Sequence, residues 1–245
     1  MPNVMRFAAD IKLKRTIAAV KWLFVSFGAI FLILNILALT PAPFYMHRCL
    51  GEDSAWKSDS ATNFRPDYVV MFGGAGMPSG SNLIRLYYTA EFARNLHTPV
   101  VLVHPQDSVC QAEMTKYLVG SGLAPDSIFY MTGGSNTRSQ SVCLADSFPQ
   151  LRSANLLIIT APEHIARTLK CLRLCGFESI RGIGAFESTV DFDLTLDKRK
   201  LKGNQLVPDI ESTNLRYTFW NYLQLEIVCF REYFATAYYW VKGWI

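Results

Sequence analysis

Five short apolar runs constrain this chain more than any other feature. They are Tyr68–Phe72 (YVVMF), Val100–Val103 between Pro99 and His104, Ile128–Met131 between Ser127 and Thr132, Leu156–Thr160 (LLIIT), and the weaker Ile180–Gly184 (IRGIG). Most are continuously apolar rather than alternating, as expected of strands buried on both faces. Helical patterns fill the gaps, near Ser81 to Asn95, Asp107 to Ser121, Arg138 to Leu151 and Pro162 to Cys175. Strand and helix alternating at roughly 25 to 30 residues predict βαβ units with right-handed crossovers and a parallel sheet. The expected fold is α/β, an open doubly wound sheet in three layers over about residues 66–190, in a domain bounded at 66–212. Residues 186–212 are polar and read as a loop or an insertion with a short strand.

Ahead of this domain, Trp22 to Leu39 is uncharged, and Ile17 to Val20 extend it on the far side of Lys21. A lysine there can snorkel toward lipid headgroups. About 20 apolar residues match a hydrocarbon core roughly 30 Å thick. The chain has a formal net charge of +4. All of that excess falls in the first 21 residues, where Arg6, Lys12, Lys14, Arg15 and Lys21 face only Asp10. The positive-inside rule then keeps residues 1–16 cytoplasmic, makes 17–40 a single-pass anchor and puts the rest outside the cytoplasm. A cleaved signal peptide fits less well, because its apolar core is usually about 7 to 15 residues and Thr40-Pro41-Ala42-Pro43 is no A-x-A site. The remainder of the chain is electrically balanced, which argues against a nucleic-acid partner.

Residues 41–65, polar and punctuated by Pro and Gly, read as a tether. The tail, residues 213–245, reads as a helix dense in aromatics, among them Trp220, Phe230, Phe234, Tyr238, Tyr239 and Trp240. Two placements suit it: in the membrane interface, where such rings sit at headgroup level, or packed on the sheet. The six cysteines form no CxxC or Cys/His zinc pattern, and no disulfide pairing can be assigned. Cys171 and Cys175 share a helix face and read as small buried side chains.

In an open parallel sheet the ligand crevice lies beyond the carboxyl ends of the strands, where loops converge and helix N-termini point inward. The residues just after each strand therefore form the candidate site. Strand one supplies Gly73, Gly74 and Gly76, with Ser81 and Arg85 on the following helix. Strand two is followed by His104, then Glu113 in its helix; strand three by Asn136 and Thr137; strand four by Thr160, His164 and Arg167. Helix N-termini with Arg85, Arg167 and His164, against the single carboxylate Glu113, predict a crevice that attracts an anion. Glycine-turn amides, the Asn136 amide and the arginines suit phosphate oxygens. If the site is catalytic, His164 serves as general acid or base and Glu113 orients a water, hydroxyl or metal ion. Structural roles also explain each residue: a tight turn for the glycines, a salt bridge for Glu113, a turn for Asn136 with Thr137 capping its helix, a solvated pair for His164 and Arg167. No P-loop and no two-metal acidic cluster is present in the sequence.

The GG-x-G after an apolar strand, the Asn-Thr pair, and Thr160-Ala-Pro-Glu-His164-Ile-Ala-Arg167 followed by Gly176-Phe177 resemble the YdcF, SanA and ElyC family. The resemblance covers about residues 66–190, and the N-terminal anchor is similar to SanA and ElyC. It implies a Rossmann-like fold and an envelope role in a bacterial inner membrane, linked in some members to peptidoglycan and its lipid carrier. For YdcF it implies nucleotide or S-adenosylmethionine binding. The chain departs from the family at His104-Pro105-Gln106, where Ser-Gly-Gly is usual, and at Asn136-Thr137-Arg138-Ser139-Gln140, which lacks the Glu of Asn-Thr-x-Glu-Asn. Three functions follow as expectations. The first is a membrane-anchored protein that binds a phosphate-bearing ligand such as a lipid-linked cell-wall precursor and, if it is an enzyme, hydrolyses or transfers at its phosphoester or pyrophosphate. The others are a nucleotide or S-adenosylmethionine binder and a non-enzymatic envelope scaffold. No cofactor is specified by the sequence.

Overall fold

The computed structural model describes residues 2–51, 64–74, 76–105, 108–186 and 217–245. The polar stretch after the fifth strand, most of the second half of the tether, the start of the second domain helix at Asp107 and the boundary at 212 lie outside the described residues. The chain divides into two compact units, Met1–Phe44 with Leu206–Ile227, and Tyr45–Gln205 with Val228–Ile245.

In the first unit, helix α1 (Pro2–Ala38) contains a segment, Lys14–Ala38, with mean hydropathy 2.3 and none of its most apolar window buried. At about 1.5 Å per residue that segment is long enough to cross a membrane. It ends where Thr40 turns back, its amide and its hydroxyl both donating to Leu37 O, while its Oγ1 accepts from the Ala42 amide. Thus α2 (Ala42–Gly51) begins, and the first part of the expected tether is helical. Neither Pro41 nor Pro43 prevents this, because proline is tolerated just ahead of a helix and in its first turn. Ala38 to Pro41 share a cavity of about 200 Å³ with Thr218, Phe219 and Tyr222.

The second unit holds a five-stranded, all-parallel sheet of β1 (Tyr68–Phe72), β2 (Val100–His104), β3 (Ile128–Thr132), β4 (Leu156–Thr160) and β5 (Ile180–Gly184), in the order β3-β2-β1-β4-β5. The helices between them are α3 (Gly80–Leu96), α4 (Ser108–Gly120), α5 (Thr137–Ser147) and α6 (Ile165–Leu174). Their placement explains the unbroken apolar runs. Val69 and Met71 of β1 and Val100 and Leu102 of β2 pack with Leu86, Ala90, Met114 and Leu118 of α3 and α4. The intervening Val70, Phe72, Val101 and Val103 pack on the other face with Leu144, Ile165 and Leu169 of α5 and α6. Every side chain of the central strands except the half-buried Tyr68 is thus buried. The edge strands β3 and β5 are covered less completely and carry mixed burial.

Helix α7 (Phe219–Val241) forms the aromatic tail. Its C-terminal part belongs to the second unit, where Tyr239 is 6% exposed and the Cys171 thiol donates to Trp244 O at 3.6 Å. None of the six cysteines is in a disulfide. Cys171 is buried, as expected, and burial pushes its thiol up to about 11; Cys175 is only half-buried and accepts from Arg138 Nη1 at 3.1 Å.

Candidate functional site

The chain moves outward from β1 to β2 and β3, then crosses to β4 on the opposite side of β1. Loops leaving β1 and β4 therefore run in opposite directions and open a crevice at their carboxyl ends. A cavity of about 230 Å³ occupies that place. Of the sequence candidates, Gly73, Gly74, Arg85, Asn136, Thr137, Thr160, His164 and Arg167 line it. Gly76 and Ser81 do not, although Ser81 Oγ accepts from Arg85 Nη2 at 2.9 Å. Glu113 is exposed on α4 and is also outside the lining, so it cannot orient a group held there.

The β1 side is built around Arg85. Ser79 caps α3 by accepting from the Asn82 amide, and one turn further on Arg85 folds back over the strand end. Its Nη1 donates to Phe72 O at 2.9 Å and sits beside Gly74, where an added Cβ would lie 3.6 Å from it. Gly73 has a different reason to be glycine, since a Cβ would come within 2.7 Å of the His104 ring. His104, which follows strand two in the sequence and has no counterpart in the family motif, is buried beneath that turn. Arg85 is only 5% exposed, and its buried Nε has no hydrogen-bond partner. Burial lowers its pKa to about 10, against a smaller upward pull from the charge of Glu163. No carboxylate makes an ion pair with it among the described residues.

The β4 side is built differently. Pro162 opens a short 3₁₀ turn, Pro162–His164, that leads into α6 and brings His164 and Arg167 to one face, three residues apart. There they meet Glu232 of α7, which is 1% exposed. Arg167 Nε donates to Glu232 Oε1 at 2.5 Å and Nη2 to Oε2 at 3.1 Å, while His164 Nδ1 lies 2.9 Å from Oε2. Arg167 Nη1 also donates to Thr137 Oγ1 at 2.5 Å, and the guanidinium stacks over Tyr239, 4.9 Å from the ring centre. Burial acts against both charges, yet their mutual hydrogen bonds and attraction outweigh it. Arg167 is held above, and Glu232 below, its ordinary pKa. The alternative of a merely solvated pair does not hold: Arg167 is buried and ion-paired with Glu232, while His164 is half-buried and bonded to the same carboxylate.

Asn136 and Thr137 exchange their expected parts. Asn136 caps α5, its side chain accepting from the Ser139 amide and its own amide donating to Ser139 Oγ at 3.1 Å, so that amide is not available to a ligand. Thr137 is the first helical residue and serves Arg167. The preceding Gly134 has φ +78°, and a Cβ on it would meet the Gln140 backbone amide at 2.5 Å. This second glycine turn, missed in the sequence, lets the loop fold tightly into α5. Thr160 Oγ1 ties the ends of β4 and β1 together by donating to Phe72 O at 3.2 Å.

A second carboxylate stands at the rim. Glu163 lies 3.5 Å from His47 of α2, 3.8 Å from His164 Nε2 and 3.6 Å from Arg231 of α7. Burial pushes its pKa up, but hydrogen bonding from His47 and the charges of His164 and His47 hold it at about 2. Sequence reading passed over both Glu163 and Glu232. Glu163 sits inside the most specific motif and was legible; Glu232 carried no signal.

Compared with known proteins, the chain matches no family model, no curated protein and no solved structure. No group of His, Cys, Asp and Glu among the described residues has the arrangement of a metal site. What the site offers chemically is a buried cation, Arg85, without a paired carboxylate among the described residues, opposite an Arg167–Glu232 ion pair to which His164 is bonded.

Proposed function

We propose that this chain is a membrane-anchored protein of the YdcF, SanA and ElyC type whose Rossmann-like domain binds a phosphate-bearing anion outside the cytoplasm of a bacterial cell. The observation that carries the reading is Arg85, a guanidinium 5% exposed, lining the crevice beside Gly74 with no carboxylate ion-paired to it among the described residues. A buried charge left unpaired is costly, so the site gains most by admitting an anion. A guanidinium beside a glycine backbone suits phosphate oxygens. The cavity, at about 230 Å³, has room for a phosphate or pyrophosphate head. It falls below the roughly 300–1,000 Å³ of pockets that enclose a whole drug-sized ligand, which disfavours the nucleotide and S-adenosylmethionine reading. The basic N-terminus and the apolar α1 support the anchor, and a ligand whose phosphate protrudes from the bilayer, such as a lipid-linked cell-wall precursor, suits such a tether.

Glu232, bonded to His164 Nδ1 and outside the crevice lining, is a positioning residue and does not itself orient a water. In hydrolysis of a bound ester, water adds to phosphorus and the bond to the leaving oxygen breaks. His164, positioned by Glu232, passes the proton from water to that oxygen. Binding is the claim to test first. Calorimetric titration of the full-length protein in nanodiscs with phosphate, pyrophosphate and undecaprenyl phosphate should give a heat of binding that Arg85→Gln abolishes and Glu113→Gln leaves intact. No binding by the unaltered protein, or binding indifferent to Arg85→Gln, overturns the reading and leaves the scaffold.

A further inference from the structure

Helix α7 has two unlike faces. Its buried face carries Cys229 and Tyr239 together with both of its acids, Glu226 at 0% and Glu232 at 1% exposure. Its outward face carries Trp220 (61% exposed), Ile227 (62%), Phe234 (74%) and Val241 (76%). These four recur every seven residues, a spacing that drifts only about 20° per step on an α-helix and so draws one stripe along its length. Tyr238 and Trp240 are also more than half exposed near its end. The only charged side chains exposed on the helix and its last turn are cations. Arg231 stays 62% exposed although it reaches Glu163, and Lys242 lies over the Tyr238 ring, 5.7 Å from its centre.

We infer that this outward face of α7 rests on the lipid surface, its apolar stripe entering the headgroup boundary of an anionic bilayer. The inference rests on the proposal that α1 spans the membrane, and three observations select lipid as the occupant. The start of α7 stands where α1 ends, because Phe219 and Tyr222 share one cavity with Ala38 to Pro41. The residue types are those of a helix lying in the interface, with tryptophan, tyrosine and aliphatic side chains on one face beside cations. The exclusion of both acids from the exposed surface makes the face complementary to anionic phospholipid.

The test places the photo-crosslinking residue p-benzoylphenylalanine, one position at a time, at Phe27, Ile227, Phe234 and Tyr87 of the full-length chain. The protein is irradiated in nanodiscs of phosphatidylethanolamine and phosphatidylglycerol, and adducts are read by mass spectrometry. Phe27 is an exposed residue of α1 and Tyr87 an exposed residue of α3. The expected result is phospholipid adduct at Phe27, Ile227 and Phe234 with none above background at Tyr87. Adduct at Phe27 but none at Ile227 and Phe234 overturns the inference and leaves the anchor standing. Equal adduct at Tyr87 overturns it as unspecific contact, and a chain-to-chain product at Phe234 overturns it in favour of a second copy. Absence of adduct at Phe27 overturns the anchor itself, and the inference with it. Phosphate titration is a separate measurement and is untouched by any of these outcomes.

Discussion

Two arginines line the same crevice from opposite sides, and their surroundings differ in one respect. Arg167 on the β4 side is neutralised by Glu232, shared with His164 and sandwiched between Thr137 and Tyr239. Arg85 on the β1 side is as deeply buried, yet among the described residues its hydrogen bonds go to a backbone carbonyl and a serine hydroxyl. Burial of charge by itself therefore does not mark a ligand site. What separates a structural cation from one waiting for an anion is whether the fold has already supplied the counter-charge.

The largest effect should come from unmaking the neutralised side. Glu232→Gln leaves Arg167 buried without its carboxylate and is expected to cost about 3–5 kcal/mol in chemical denaturation. The double variant Glu232→Leu with Arg167→Met should recover much of that loss; if the two single losses simply add, the pair is not coupled and the contrast fails. Arg85→Met should behave in the opposite way. Phe72 O keeps its bond from Thr160, and Ser81 is exposed to water, so no buried group is orphaned. Stability should change by no more than about 1 kcal/mol while anion affinity falls at least about tenfold. A large destabilisation would instead make Arg85 structural.

A smaller effect should appear in acid. Glu163 has a folded pKa of about 2, below the ordinary 4.5, so its contribution to stability is fully present above pH 4.5 and is lost as pH falls toward 2. Glu232, also depressed, adds to the loss in the same direction. The melting temperature should fall more steeply over that window in the unaltered protein than in Glu163→Gln, and parallel curves would remove the rim carboxylate from the account. The smallest effect is expected at Glu226, whose two carboxylate oxygens are buried without a hydrogen-bond partner among the described residues and whose pKa burial pushes up. Replacement by Gln should leave the denaturation midpoint unchanged or raise it slightly, unlike the same change six residues along at Glu232.

Much of the fold was legible because its causes are local. A run such as Val69-Val-Met-Phe72 is apolar at every position since helices cover both sides of the sheet, and that requirement is written in consecutive residues. Edge strand β5 was legible only faintly, since two of its five positions are less completely covered. The site was legible in outline, because parallel topology alone brings Gly74, Asn136, Thr160 and His164 to one rim. It failed at Glu113, chosen for its helix without knowledge of which way that helix turns it. It failed again at Asn136, whose amide is consumed by its own cap.

The sequence by itself determined the parallel α/β layering and a helix apolar enough to cross a membrane, because periodicity and hydropathy act over neighbouring residues. Only the tertiary structure decided which arginine is neutralised. Glu232 meets Arg167 across 65 residues of chain. An ion pair depends on atoms coming within about 3 Å of each other in space, a condition that spacing along the chain does not encode.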